Sequence, residues 1–327
     1  MRKLFHSRLR RSGLVMVCAI GAFIQSGSLV HAEGNSELSA VLALTSGRSV
    51  VVEMKNGKVD EQIGRNADAN TYFSLASISK TLTATLVLKL AEQKKINLDS
   101  PIETYLPEVF VEAKEDALGE QPIWAFLNHA TGMSSHNFTA VTAGKTSYRQ
   151  YAELVGTLSP SSQVGRYLYS NDNYVLLTML IEKVTRLNFE SAAWRMVWQP
   201  LGVPGGYLNT TSHATQVLGG SGAWMSSAHD IGVLFNALNP SAPGQKILSS
   251  PWLQKMHETR YSSEYRNGLR YLRGRWGHTG SLARARSAVV VGKGGSIYIV
   301  LSEGASPSSS DKLFDALAAI DSKRKVK

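Results

Sequence analysis

The sequence predicts an α+β domain in which an antiparallel sheet, drawn from both ends of the chain, is flanked by helices and carries an inserted, mostly helical region. Three observations lead there. Strand patterns cluster near the start, in "SVVVEMKNGKVDEQIG" (49–64), and near the end, in "RWGHTGSLARARSAVVVGKGGSIYIVLSE" (275–303). Between about 96 and 230 the apolar spacing is helical. Strands and helices therefore do not alternate as they do in a parallel sheet.

The chain has 327 residues, and its first 32 form a unit of their own. Arg2, Lys3, Arg8, Arg10 and Arg11 make a basic head, an apolar run extends from Gly13 to about Val30, and Val30-His31-Ala32 precedes Glu33. This is the pattern of a secretory signal peptide. Gln25, Ser26, Gly27 and Ser28 interrupt the run, so cleavage is favoured over a retained anchor and no stable membrane span is expected. Arg10-Arg11 invites a twin-arginine route, but Gly13 stands where that signal wants an apolar residue. The expectation is an exported protein, periplasmic or secreted, with one domain over 33–327: sheet region about 33–95 and 231–327, helical region about 96–230. The single cysteine, Cys18, lies in the leader behind Val17, not behind the small residue that a lipoprotein signal needs. A mature chain has no disulfide, thiolate metal site or cysteine nucleophile, and its core must hold it together.

The formal charge of +10 is concentrated at the ends. The basic head and the tail "KRKVK" (Lys323, Arg324, Lys325, Lys327) leave the body at +1, which is not the footprint of a nucleic-acid binder. The tail reads as a solvated end, with loose contact to anionic surfaces as the weaker option.

Each element then has a local reason. "NSELSAVLALTSG" (35–47) reads as a short helix stopped by Gly47. Residues 49–64 read as a hairpin, because Asn56-Gly57 suits a tight type I′ turn. "TYFSLASISKTLTATLVLKLAEQKK" (71–95) carries Ile78, Leu82, Leu86 and Leu90 every fourth residue and predicts an amphipathic helix. "LDSPIETYLPE" (98–108) reads as a turn-rich connector, "IWAFLNHATGM" (123–133) as a helix ended by Gly132, and "NDNYVLLTMLIEKVTRL" (171–187) and "SSAHDIGVLFNAL" (226–238) as further helices. Residues 275–303 hold up to three strands, the last two joined at Gly292–Gly295, and "SSDKLFDALAAIDSK" (309–323) closes as an amphipathic helix.

Three short patterns carry possible chemistry. Ser77 and Lys80 stand three apart at a helix start and share a face. Serine attacks well only when a base takes its proton, and lysine can be that base if burial lowers its pKa. A plain N-cap beside a solvated charge fits the same spacing, and Ser309/Lys312 and Ser322/Lys325 match it too. Tyr169-Ser170-Asn171 precedes a helix: the phenol can relay a proton once nearby cations lower its pKa, and the amide can bind a carbonyl or a lysine. Tyr207-x-Asn209 and Tyr265-x-Asn267 repeat the spacing in loop-like flanks. His278-Thr279-Gly280 begins a strand. There Gly280 permits close backbone approach, and the Ser281 N–H can join that of Ser77 as an oxyanion hole.

In this order the three patterns resemble the penicillin-recognising serine hydrolases: class C β-lactamases, D-Ala-D-Ala carboxypeptidases and related esterases. "YFSLASISKTLTA", "LDSPIETYLPE", "FLNHATGM", "PLGV" (200–203) and "SGAWMSSAHDIGVL" also resemble family segments, so the likeness covers about 49–303. It implies a β-lactamase/transpeptidase-like fold and no metal or organic cofactor. It implies Ser77 as the acylated nucleophile and Lys80 and Tyr169 as proton carriers. Asn171, His278, Thr279, Gly280 and Ser281 become the substrate-binding set, and His129 a structural turn residue. His-Thr-Gly in place of Lys-Thr-Gly resembles the carboxypeptidases, aminopeptidases and esterases more than the dedicated β-lactamases. The implied substrate is a small molecule or peptide, foremost a cell-wall peptide ending in D-Ala-D-Ala. A β-lactamase or esterase, a tailoring peptidase or cyclase, and a non-catalytic binder of β-lactams or wall fragments are the alternatives.

One departure stands out. "SLARARS" (281–287) replaces the family's glycine-rich stretch. Arg284 and Arg286, with Arg270, Arg273 and Arg275, read either as a solvated edge strand or as a clamp for a substrate carboxylate.

Overall fold

The computed structural model describes residues 36–111, 118–133, 147–304 and 308–324. The expected leader (1–32) lies outside them. Helix α1 (Ser36–Ala43) precedes the hairpin β1 (Arg48–Lys55) and β2 (Lys58–Arg65). The short strand β3 (Tyr72–Ser74) leads through a 3-10 turn (Ala76–Ile78) into α2 (Ser79–Glu92). The helical middle holds α3 (Ile123–Leu127), α4 (Tyr148–Gly156), α5 (Asn171–Thr185), α6 (Phe189–Ala193), α7 (Gln199–Leu201) and α8 (His213–Leu218), with strands β4 (Tyr207–Leu208) and β5 (Trp224–Ser227). Then come α9 (Ala228–Leu238), α10 (Ser250–Met256), β6 (Tyr265–Arg266), β7 (Leu269–Leu272), β8 (Arg275–Leu282), β9 (Ala285–Val291), β10 (Ile297–Glu303) and α11 (Ser310–Lys323).

The two ends of the chain do meet in one seven-stranded sheet, ordered β2-β1-β10-β9-β8-β7-β6 with every pair antiparallel. Side chains alternate across it. Val51, Val290, Tyr298 and Val300 face α1 and α11, where they pack with Leu38, Val41, Phe314 and Leu317. Val50, Val52, Val289, Ile299 and Leu301 face the other way, into the larger core shared with α2, α5 and α9. A second, three-stranded sheet, β3-β5-β4, ties the approach to α2 to the helical region.

Four elements differ from expectation. Helix α2 is not amphipathic: twelve of its fourteen residues are buried, including Lys80, Thr81, Thr83 and Thr85. It is enclosed by sheet and helices, so its polar residues point into the protein and bond there, Thr81 Oγ1 to the Gly268 carbonyl (2.8 Å) and Thr83 Oγ1 to the Gly220 carbonyl (2.7 Å). The helix at 123 stops at Leu127, not at Gly132, because His129 takes a left-handed φ of 55°. The 265–267 segment is no loop. Asn267-Gly268, both at positive φ, close a two-residue hairpin between β6 and β7. The tail is anchored in part, since Arg324 pairs with the buried Glu53 and Lys323 with Glu37 (3.3 Å).

One glycine joins sheet to site. A Cβ on Gly280 of β8 would lie 2.3 Å from the Leu75 carbonyl and 3.0 Å from the Ala76 Cβ, in the turn before α2. Gly280→Ala must therefore push that turn away from the sheet. The expected cost is about 1–3 kcal/mol in denaturant unfolding. Unchanged stability would show that β8 and the turn are not in contact.

Candidate active site

The turn Leu75-Ala76-Ser77 is held from three sides. Leu75 N–H donates to the Trp224 carbonyl of β5 (2.9 Å), and Ser287 of β9 donates its hydroxyl to the Leu75 carbonyl (2.8 Å). Ser79 Oγ donates to the Ala76 carbonyl (2.7 Å) and accepts from Trp224 N–H (3.1 Å). Ala76 sits at φ 48° with no exposure, a strained position for a residue with a Cβ. Ser77 is thus a turn residue, not an N-cap: the cap position of α2 is Ile78, with no side-chain cap bond. The reading of Ser77 as a plain N-cap is thereby excluded.

Lys80 is fully buried. Its ammonium nitrogen lies 3.3 Å from Ser77 Oγ, 2.8 Å from Asn171 Oδ1 and 2.7 Å from the Ser221 carbonyl. It also stands 4.9 Å above the Tyr169 ring centroid. Among the described residues no carboxylate comes within ion-pair distance of it. Burial without a counter-ion lowers its pKa from the ordinary lysine value to about 7, against a smaller opposing pull from Asp172. A neutral amine within hydrogen-bond reach of a serine hydroxyl can take that hydroxyl's proton.

Tyr169 departs from expectation. Its phenol is pushed up by burial, with a hydrogen bond to Ser77 acting the other way. Nearby cations do not overcome the burial, so the phenol is a proton donor where Lys80 titrates. Its position comes from His129. That ring, with centroid 4.3 Å from the Tyr169 ring, accepts the Ser170 N–H at Nδ1 (3.2 Å). Ser170 in turn caps α5 by accepting from Asp172 N–H, which aims Asn171 at Lys80.

β8 forms the opposite wall. His278 is fully buried, and its pKa is held well below the usual value by desolvation, so the imidazole is neutral. Its Nδ1 faces the Thr279 carbonyl at 2.7 Å and must carry the proton, leaving Nε2 an acceptor 3.3 Å from the Tyr265 hydroxyl, which also lies 3.3 Å from the Tyr174 hydroxyl. Tyr265, which repeats the Tyr-x-Asn spacing in the sequence, therefore packs behind the site. Ser77, Tyr169, Asn171, His278, Thr279 and Ser281 line one cavity of about 680 Å³, together with Tyr167, Arg270, Arg286 and the segment Ser308–Asp311.

The arginine cluster of the sequence separates in space. Arg275 is buried against Asp321, and Arg273 pairs with Asp315 on the outer face. Arg284 lies in the β8–β9 turn, and β9 is an interior strand, so neither Arg284 nor Arg286 marks an edge. Only Arg270 and Arg286 reach the cavity. Arg270 bonds Thr279 Oγ1 and pairs with Asp311 (2.6 Å), and Arg286 bonds the Leu282 and Ala285 carbonyls. The Ser221 carbonyl, Asp172 and Asp311 were not foreseen. Ser221 acts through its backbone and Asp311 arrives from the last helix, so no local spacing points to them.

This sheet between helical layers, with a serine and a buried lysine at the head of the enclosed helix, defines the β-lactamase/transpeptidase-like class of hydrolase folds. The chain belongs to the Beta-lactamase family, whose model matches residues 30–321. Among curated proteins it is similar to the Unguisins hydrolase ungD of Aspergillus violaceofuscus, 29% identical over 160 residues, 46% of this chain and 28% of that one. It is also similar to the Teichoic acid D-alanine hydrolase of Staphylococcus aureus, 24% identical over 149 residues, 44% and 34% of the two chains. The alignments thus span about a third of these relatives. Among solved structures, a D-stereospecific amidohydrolase from Streptomyces sp. superposes with a TM-score of 0.69 at 23% identity, covering 86% of this chain and 96% of that one, a likeness of fold.

If Lys80 must be neutral to accept a proton, kcat/KM rises with pH through an apparent pKa near 7, set by the lysine. The sign follows from the lowered pKa: the inactive ammonium form dominates below it. Tyr169→Phe should lower the rate by about 10²–10⁴-fold yet leave this limb in place. A limb that vanished or moved in Tyr169→Phe would assign it to the phenol.

Proposed function

We propose that this protein is an exported serine hydrolase that works through an acyl-enzyme on Ser77, with D-aminoacyl amide or ester bonds as substrates and peptides ending in D-Ala-D-Ala foremost among them. The observation that carries the reading is Lys80, fully buried, unpaired with any described carboxylate and 3.3 Å from Ser77 Oγ. An ammonium is far costlier in such a place than a hydrogen-bonded neutral amine. The names of the relatives supply the substrate side, since two of them are described by D-alanine or D-stereospecific hydrolysis. The basic head and apolar run of residues 1–32 support export.

The steps follow from the groups present. The neutral Lys80 amine removes the Ser77 hydroxyl proton as Oγ bonds to the substrate carbonyl carbon. The N–H groups of Ser77 and Ser281 receive the oxygen as it gains charge. The Tyr169 hydroxyl gives its proton to the leaving amine or alkoxide and regains one from the Lys80 ammonium. Water then repeats the sequence on the acyl-serine. Asn171 holds Lys80 and stands at the cavity wall for the substrate amide. Arg270 and Arg286 supply positive charge where a terminal carboxylate would lie. With His278 neutral, the third motif brings no cation of its own, which supports reading peptide hydrolysis ahead of efficient β-lactam turnover.

Incubation of wild type and Ser77→Ala with an N-acylated D-Ala-D-Ala peptide, a D-alanyl ester and a penicillin, followed by intact-protein mass, tests this. The expected result is turnover of peptide or ester and a penicilloyl adduct on wild type only, with hydrolysis by Ser77→Ala down at least about 10³-fold. Full hydrolysis by Ser77→Ala would sink the mechanism. A bound but unhydrolysed set of substrates would support the non-catalytic alternative.

A further inference from the structure

The cavity beside Ser77 holds a carboxylate of the protein's own. Asp311, the second residue of α11, lines it with 60% of its side chain exposed. Its Oδ1 is the point on which two donors meet: Arg270 Nη1 lies 2.6 Å away and the Thr279 hydroxyl 3.3 Å away. Arg270 Nη1 also bonds Thr279 Oγ1, so the three groups close a triangle. Thr279 belongs to the third motif, and its single hydroxyl proton is committed to Asp311. Among the described residues the Asp311 carboxylate has no other hydrogen bond.

As a fastening for α11 the contact is redundant. Phe314 and Leu317 bury that helix against the sheet, Ser310 bonds the Gly280 carbonyl, and Asp321 holds Arg275 in a buried pair. What the triangle does is place one carboxylate oxygen where an arginine and a hydroxyl of the site converge, an arrangement suited to the end of a peptide.

We propose that Asp311 is a specificity-determining residue: in the free protein it occupies the donors that a substrate's terminal carboxylate takes over, so that free-acid peptides bind by displacing it and D-aminoacyl amides and esters bind without doing so. This deepens the proposed function and rests on its placement of a terminal carboxylate at Arg270. Exchanging one carboxylate for another leaves Arg270 neutralised throughout, and an ion pair with this much exposure is held weakly enough to exchange. Among the described residues Arg286 has no carboxylate partner, so a positive charge remains at the wall to draw the incoming anion while Asp311 holds Arg270. A substrate without a terminal carboxylate offers Arg270 no charge and leaves Asp311 in place.

Binding, with no turnover required, provides the test. N-acetyl-D-Ala-D-Ala and its C-terminal carboxamide are titrated by NMR into full-length protein carrying Ser77→Ala, with and without a second substitution. Asp311→Asn and Asp311→Ala should each tighten the free acid relative to the carboxamide by at least about threefold. Asp315→Asn removes a similar arginine pair (3.2 Å) one turn further along α11 and outside the cavity lining, and should leave that ratio unchanged. With Asp311 intact and aspartate carboxyls labelled with 13C, the free acid should shift the Asp311 signal, assigned with Asp311→Asn, and the carboxamide should not. An unchanged ratio in both Asp311 variants would overturn the proposal, as would failure of every form to bind the free acid. A raised ratio with an unmoved Asp311 signal would also overturn it, because Asp311 would then act by its charge alone and not by being displaced. Failure of the catalytic reading shows separately, as full hydrolysis by Ser77→Ala with the binding pattern intact.

Discussion

The structure turns on one constraint, a lysine nitrogen buried beside a serine with no described carboxylate to pair with. Lys80 gets its hydrogen bonds from Ser77, from the Asn171 amide and from the Ser221 carbonyl. These belong to three stretches far apart in sequence, so the fold must bring them together for the lysine to be housed at all. The sheet fixes the Ser77 turn through Ser287, and the small sheet fixes it through Trp224. His129 and the Ser170 cap fix Asn171. The gain is a base near neutrality; the cost is a buried polar group that other elements must satisfy.

The neighbours keep further ionic partners away from it. His278 is neutral through burial, which outweighs the opposing pull of its hydrogen bond to the Thr279 carbonyl. Arg270 is paired with Asp311, and the Tyr169 phenol is held protonated by its surroundings. Asp172, the acid that acts on Lys80 at longer range, is itself pushed up by burial and bonded to Tyr151 (2.6 Å). The site therefore combines a titratable amine buried behind Ser77 with a protonated phenol and two partly engaged arginines at the cavity wall.

Much of this was legible in the sequence. The Asn56-Gly57 turn, the strand alternation and the four-residue apolar repeat of α2 are local signals, and the joining of both chain ends followed from where the strands lay. The spacing of Ser77 and Lys80 was legible as a pair but not as an active one, since two other pairs match it. What failed was whatever depends on three-dimensional surroundings. The polar residues of α2 read as a solvated face because threonines and lysines usually are; here they bond inward. The Asn267-Gly268 hairpin carried the same signal as the first and was missed because its strands are only two and four residues long. Five arginines close in sequence read as one cluster, but strand alternation and three aspartates of α11 send them to different places.

The most direct measurement is the titration of Lys80 itself, followed by NMR of lysine side chains labelled at Cε and assigned with Lys80→Met. The account predicts a midpoint near 7 for Lys80. A Lys80 that keeps its charge past pH 10 would contradict it, because the serine would then have no base beside it.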